Sequence, residues 1–181
     1  LEALRSAGTT VDIQPIPLFE EIRRLNEETG TLLAAESYFN LKQILDGALL
    51  DRVDPRVAER ALLGRELSVA DLLTVQTERE RLIAAFAHHL HGKSCVAIPT
   101  TAISAPDWEP LEADVGAFRM ATALANKNTM LGSFLRTCAI ALPSGGNETG
   151  MPTSLMLMAP GGSDEDLLSH AAAVETVLAS S

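Results

Sequence analysis

Residues Thr137–Ser169, reading TCAIALPSGGNETGMPTSLMLMAPGGSDEDLLS, restrict the fold of this chain more than any other stretch. Ala139–Leu142 is a short apolar run closed by Pro143, and Thr153–Ala159 is a second. Between them SGGNETGMP holds the Gly, Asn and Ser residues that turns require. Two apolar runs joined in this way predict an antiparallel β-hairpin with a longer loop. Pro160, Gly161 and Gly162 then break the second strand. Ser163 with Asp166 three residues on is a variant of the capping box, and Asp164–Asp166 puts negative charge at the positive end of a helix dipole. Leu167, Leu168, Ala171, Val174, Val177 and Leu178 supply the helix's apolar stripe. The region reads as a hairpin with a covering helix.

Upstream, Leu1–Ala7 reads as a helix stopped by Gly8, and Thr9–Ile16 as a strand with Val11, Ile13 and Ile16, ended by Pro15 and Pro17. Leu18–Leu50 carries apolar residues at spacings of three and four and is broken at Gly30, which predicts two consecutive helices. Glu36 on the second reads as a solvated or interhelical carboxylate and not as a general acid. Asp54 before Pro55 is a strong helix start, ended at Gly64. Ser68 and Asp71 cap a long helix over Val69–Leu90, whose run Glu78–Arg81 reads as a solvated face. His88 and His91 at its end stand three apart, a spacing a metal could use. The helix dipole already accounts for cations there, and no carboxylate or Cys lies nearby in sequence, so no metal is expected.

Ser94–Pro99 reads as the most buried strand, opening into the long loop TTAISAPDWEPLEAD. Ligands of open α/β sheets sit beyond the carboxyl ends of strands, which makes Thr100, Thr101 and Ile103 the best-placed substrate contacts. The alternative is that these hydroxyls only cap the following turn. Trp108 reads as a half-exposed loop anchor or as a cover over the pocket. A helix follows over Phe118–Leu135, interrupted around Asn126–Thr129 and at Gly132.

Composition narrows the function classes. A chain of 181 residues with 46% hydrophobic residues fits a single domain, 1–181, around one aliphatic core. A net charge of −10, with only Lys42, Lys93 and Lys127 as lysines, argues against nucleic acid, whose binding depends on clustered Lys and Arg. No apolar run is long enough to span a bilayer and no signal-peptide pattern is present, so a cytoplasmic location away from membranes is expected. Cys95 and Cys138 sit in apolar company outside any metal-ligand spacing, and read as free thiols packed as small hydrophobes.

ALPSGGN, GMPTSLMLMAPGGSDEDLL and HAAAVE together resemble the C-terminal end of the amidase signature family. Other pieces follow in the same order: Ala35-Glu36-Ser37-Tyr38, Asp54-Pro55-Arg56-Val57, CVAIPTTAISAP, and Asn128-Thr129 before Leu131-Gly132. The resemblance implies an α/β class, the C-terminal portion of the amidase signature α/β/α fold, with a mixed sheet, a C-terminal antiparallel hairpin and covering helices. It implies an amidohydrolase acting on a small-molecule carboxamide, with no cofactor, in which Asn128 helps fix the substrate channel. Ser133 stands where many relatives carry a second Asn. A helix and strand like Leu1–Ile16 occur past the middle of such chains, so the amino terminus looks like a cut.

The family's chemistry rests on a nucleophilic serine relayed through a second serine to a lysine, in a glycine-rich segment whose amides hold the oxyanion. Ser144-Gly145-Gly146 and Gly161-Gly162-Ser163 are superficially similar, but the first reads as a hairpin loop and the second as a helix cap. No residue of this chain is therefore assigned a catalytic role. The chain is expected to supply core and pocket walls to an amidase, and to associate through an exposed sheet edge, as a homo-oligomer or otherwise. Two alternatives remain: a glutamine amidotransferase subunit of the same family, or a non-catalytic assembly module that kept the family's tail.

Overall fold

The computed structural model of the chain describes residues 1–180. Its helices are α1 (Glu2–Ser6), α2 (Pro17–Thr29), α3 (Leu32–Leu45), α4 (Pro55–Leu62), α5 (Val69–His89), α6 (Trp108–Ala113), α7 (Val115–Asn126), α8 (Thr129–Phe134) and α9 (Asp164–Ala179). Its strands are β1 (Val96–Pro99), β2 (Cys138–Gly146) and β3 (Pro152–Ala159), and single 3-10 turns cover Leu50–Arg52 and Leu63–Glu66. The α/β class, the hairpin and the covering helices are as the sequence implies.

β3 lies in the middle of the sheet, in the order β1-β3-β2, and pairs antiparallel with both neighbours. Val96 and Ala139 both stand opposite Met158, and the β2–β3 ladder shifts register between Pro143 and Gly145. The two faces of β3 explain its unbroken apolar sequence. Met156 and Met158 enter a core with Ile22, Val75, Leu82, Phe86, Leu131 and Phe134 from α2, α5 and α8, and with Leu135 just after α8. Leu157 and Ala159 point the other way, against Leu167 and Ala171 of α9. Both faces being covered, alternation is lost and the strand reads as a continuous apolar run. A third small cluster, Leu45, Ala58 and Ala61, belongs to α3 and α4.

Several local expectations change. Thr9–Ile16 forms no strand; Ile13 is 68% exposed, and the prolines at 15 and 17 withhold donors that a ladder would need. β1 starts at Val96 and is an edge strand with Ala97 and Pro99 exposed, so the most buried strand is β3. The loop after β1 winds into α6 at Trp108, itself 58% exposed. Gly132 lies inside α8 and does not break it: a Cβ there would meet Thr137 Oγ1 at 3.0 Å and Met158 Sδ at 3.3 Å, so the residue is small because the sheet is close. Ser68 and Asp71 form a complete capping box. Ser163 makes no side-chain cap bond, because its ψ of 28° leaves the extended conformation in which an N-cap hydroxyl reaches back.

Among the described residues no helix is long and apolar enough to cross a membrane, and no group of three His, Cys, Asp or Glu side chains could hold a metal. Cys95 and Cys138 are free and half-buried, and burial raises the Cys95 thiol above its ordinary pKa.

Candidate functional site

The carboxyl end of β1 gathers the residues that strand-end reasoning selects. Thr100 follows the strand directly, and both its amide and its hydroxyl donate to the Ser154 carbonyl of β3, at 3.0 and 3.2 Å. Ser154 returns a bond from its own hydroxyl to Thr100 Oγ1 at 2.7 Å. The Thr100 hydroxyl is thereby oriented by β3. Exposed Thr101 donates to the Ile103 carbonyl at 2.8 Å, which closes the turn and leaves Ile103 half-buried. Asn128 sits at the start of α8 and donates from Nδ2 to the Pro99 carbonyl at 2.8 Å. Thr100, Thr101, Ile103 and Asn128 therefore surround one strand end.

The hairpin loop reaches the same end of the sheet. Asn147 Nδ2 donates to Ser104 Oγ at 2.8 Å, while its Oδ1 accepts from the amides of Thr149 and Met151 at 3.0 and 2.9 Å. This Asn fastens the β2–β3 loop to the loop after β1. Ser144 and Thr153 hydroxyls pair at 3.1 Å on the adjacent rungs. The arrangement is a hydroxyl-rich lip, suited to orienting a polar ligand.

A cleft of about 200 Å³ opens elsewhere, between α3 on one side and α5 and α8 on the other. Asn26, Thr31, Leu32, Leu33 and Glu36 face Arg79, Met130, Ser133 and Phe134 across it. Arg79 donates from Nε to the Phe134 carbonyl at 2.6 Å and from Nη2 to the Ser133 carbonyl at 2.9 Å. Its guanidinium also lies 5.7 Å from the centroid of the Phe134 ring. These contacts satisfy end carbonyls of α8 and place the cleft's one cation on its wall. Partial burial lowers the Arg79 pKa, Arg136 adds to that, and Glu36 and Glu80 oppose it. Asn26 Oδ1 is buried with no hydrogen-bond partner.

Reading Glu78–Arg81 as a solvated face misses Arg79. The signal lay in spacing: Val75, Leu82 and Phe86 are the buried stripe of α5, and Arg79 falls four residues after the first and three before the second. Both regions present polar groups suited to orienting a ligand. Among the described residues no Ser or Cys side chain of these regions is hydrogen-bonded to a Lys or His.

The sequence model of the family described as Amidase matches residues 2–168. The chain is 26% identical over 181 residues to the 2-amino-5-chloromuconic acid deaminase of Comamonas testosteroni, covering 98% of this chain and 38% of that protein. Among solved structures, the allophanate hydrolase of Kluyveromyces lactis superposes with a TM-score of 0.81 at 17% identity, over 98% of this chain and 28% of that one. A structure described as an amidase superposes with a TM-score of 0.75 at 22% identity, over 97% and 39% respectively. The chain thus spans well under half the length of the relatives it matches. With the family's sequence model running through the hairpin and into α9, the chain belongs to the amidase family.

Proposed function

We propose that this chain is part of an amidase that hydrolyses a carboxamide C–N bond through a serine acyl-enzyme, and that its share is core and substrate-pocket wall. The family match over residues 2–168 is the observation that carries this reading. The nucleophilic serine, its relay serine and the lysine belong, on this reading, to the part of the relatives' length that the chain does not span. Thr100, Thr101, Ile103 and Asn128 line the substrate side, with the hydroxyls and the Asn128 amide fixing the polar end of a small molecule.

The relative from Comamonas testosteroni is named for a substituted muconic acid, a dicarboxylic acid from which an amino group is lost. Arg79 is the cation on the cleft wall, with guanidinium N–H bonds left over from its two carbonyl partners. This supports a carboxylate-bearing ligand group in the Arg79 cleft. The free half-buried thiols suit a reducing compartment and support a cytoplasmic location. The single unit 1–181 associates with its partner strands through the edge of β1, whose outer side pairs with nothing among the described residues.

The test is made on the whole gene product: ammonia release from a panel of carboxamides, with and without a second carboxylate. Turnover that disappears when the serine of its glycine- and serine-rich segment becomes Ala supports the reading. A whole product that releases no ammonia from any of them defeats it.

A further inference from the structure

We propose that residues 31–67 form a rigid helical lobe that swings about a Gly30–Leu67 hinge and so opens and closes the cleft in front of Arg79. This goes beyond the amidase reading and holds whatever the cleft binds.

The lobe is internally complete. Leu45, Ala58 and Ala61 make its own small core with Tyr38, Leu41, Leu50, Val53 and Leu62, separate from the core under the sheet. Tyr38 Oη donates to Asp46 Oδ2 at 2.7 Å, Arg65 bonds the other Asp46 oxygen, and the Arg65 guanidinium stands 5.4 Å from the Tyr38 ring centroid. Backbone approaches backbone closely at Gly64, where a Cβ would lie 2.0 Å from the Ala34 carbonyl oxygen. A unit locked at these points moves as one body.

Its attachment is thinner. The chain enters the lobe at Gly30 and leaves it at Leu67, and those two residues touch: a Cβ on Gly30 would be 2.8 Å from Leu67 Cδ1. Both connections therefore cross at one point, which is the geometry of a hinge and not of a two-ended strap. Gly30 has φ of 81° and ψ of 179°, a conformation reserved for glycine. Away from that point the seam includes Leu32 against the main core, Arg56 stacked 4.8 Å from the Phe118 ring and attracted by Glu112, and the cleft itself, across which Glu36 attracts Arg79.

Glu36 of the lobe faces Arg79 of the body across the cleft, and a ligand that bonds both walls favours the state in which both reach it, which couples closure to occupancy.

The test uses the whole gene product with Cys95→Ala and Cys138→Ala, spin-labelled at Glu59→Cys on α4 and Glu175→Cys on α9. Double electron–electron resonance should show one dominant distance, joined in Leu67→Ala and in Gly30→Ala by a second, longer population. A control pair at Gln76→Cys and Glu175→Cys should keep one distance in every variant. Hydrogen exchange on the unsubstituted protein supplies the measurement free of mutational damage. The seam segment around residues 26–33 should exchange faster than the lobe interior around 38–45. A lobe pair unmoved by both hinge variants, or a lobe interior that exchanges before the seam, overturns the proposal.

Discussion

Asn128 donates a hydrogen bond from its side-chain amide to the backbone carbonyl of Pro99, 29 residues earlier, at 2.8 Å. The bond ties the first turn of α8 to the last residue of β1 and holds the loop of Thr100 and Thr101 between them. Asn128 occupies the N-cap position but spends no side-chain bond on its own helix. Asn128→Ala should cost about 1 kcal/mol, the usual value of a net hydrogen bond. Asn128→Asp should cost more, because a carboxylate cannot donate and faces the carbonyl oxygen instead. Urea midpoints of the two variants check the order; an Asp variant more stable than the Ala variant contradicts it.

How much of this was legible beforehand depends on whether local chemistry or distant packing decides a position. The hairpin, α9 and the Asp54 and Ser68 caps could be read because turn residues and caps act within four residues of themselves. Thr100, Thr101 and Ile103 could be placed at the end of β1 because Pro99 and the loop after it mark the strand's end, whereas Asn128 came only with the family resemblance. Thr9–Ile16 misled because alternation says only that one face is apolar, not that a partner strand lies beside it. Arg79 was hidden by its charged neighbours, although its helical position placed it on the buried stripe. Asn26 gave no signal at all, since its buried oxygen depends on α2 and α3 meeting at the cleft.

Gly64 and Gly132 look alike in sequence and should behave differently on substitution. Alanine at 64 would set its Cβ 2.0 Å from the Ala34 carbonyl oxygen and 2.8 Å from Tyr38 Cβ, so two elements of the lobe must separate. The expected loss is about 3 kcal/mol. At 132 the nearest atoms are Thr137 Oγ1 at 3.0 Å and Met158 Sδ at 3.3 Å, both on side chains that can give way. Alanine there also gains helix propensity of about 1 kcal/mol, so the net change should stay below about 1 kcal/mol. Thermal melts of the two variants separate these outcomes.

The two serine caps offer a paired comparison within one chain. Ser68 accepts from the Asp71 amide at 3.1 Å, Asp71 Oδ2 accepts from the Ser68 amide at 3.1 Å, and the Asp71 pKa is lowered chiefly by the Ser68 hydroxyl. Ser68→Ala should therefore destabilise by about 1 kcal/mol. Ser163→Ala removes no cap bond and should stay within about 0.5 kcal/mol of the parent. Equal losses in chemical denaturation would show that Ser163 caps α9 in solution after all.

Arg79 joins α5 to α8 through the Phe134 and Ser133 carbonyls. Arg79→Met keeps the apolar stem and deletes both charge-assisted bonds. A loss of about 1.5 kcal/mol is expected, at the low end for charged donors because the guanidinium borders the open cleft. Arg79→Lys should recover part of it, since an ammonium reaches one carbonyl but lacks the planar fork that serves two. In the whole protein both variants should raise KM for a carboxylate-bearing amide more than for a neutral one. A uniform change across both substrates would leave Arg79 a structural residue only.

Asp54 gives the clearest pH signature. The Arg56 side chain, then the Arg56 amide, hold its carboxyl down from the ordinary 3.8 to about 2. Its oxygens accept from the Arg56 amide and guanidinium at the start of α4. A carboxyl with a depressed folded-state pKa stabilises the fold fully above its unfolded pKa, and that contribution fades as pH falls through the folded value. The N-terminal turn of α4 should therefore hold at pH 5 and fray between about pH 4 and 2 as the carboxylate takes up its proton. The Arg56 amide resonance reports this directly, because it loses its acceptor in the same step; its titration should centre near 2. Asp54→Asn keeps a cap oxygen for the amide but has nothing to titrate, so the same resonance should become flat across that window. A midpoint near the ordinary 3.8 in the unsubstituted chain would mean that Arg56 does not hold Asp54 in solution.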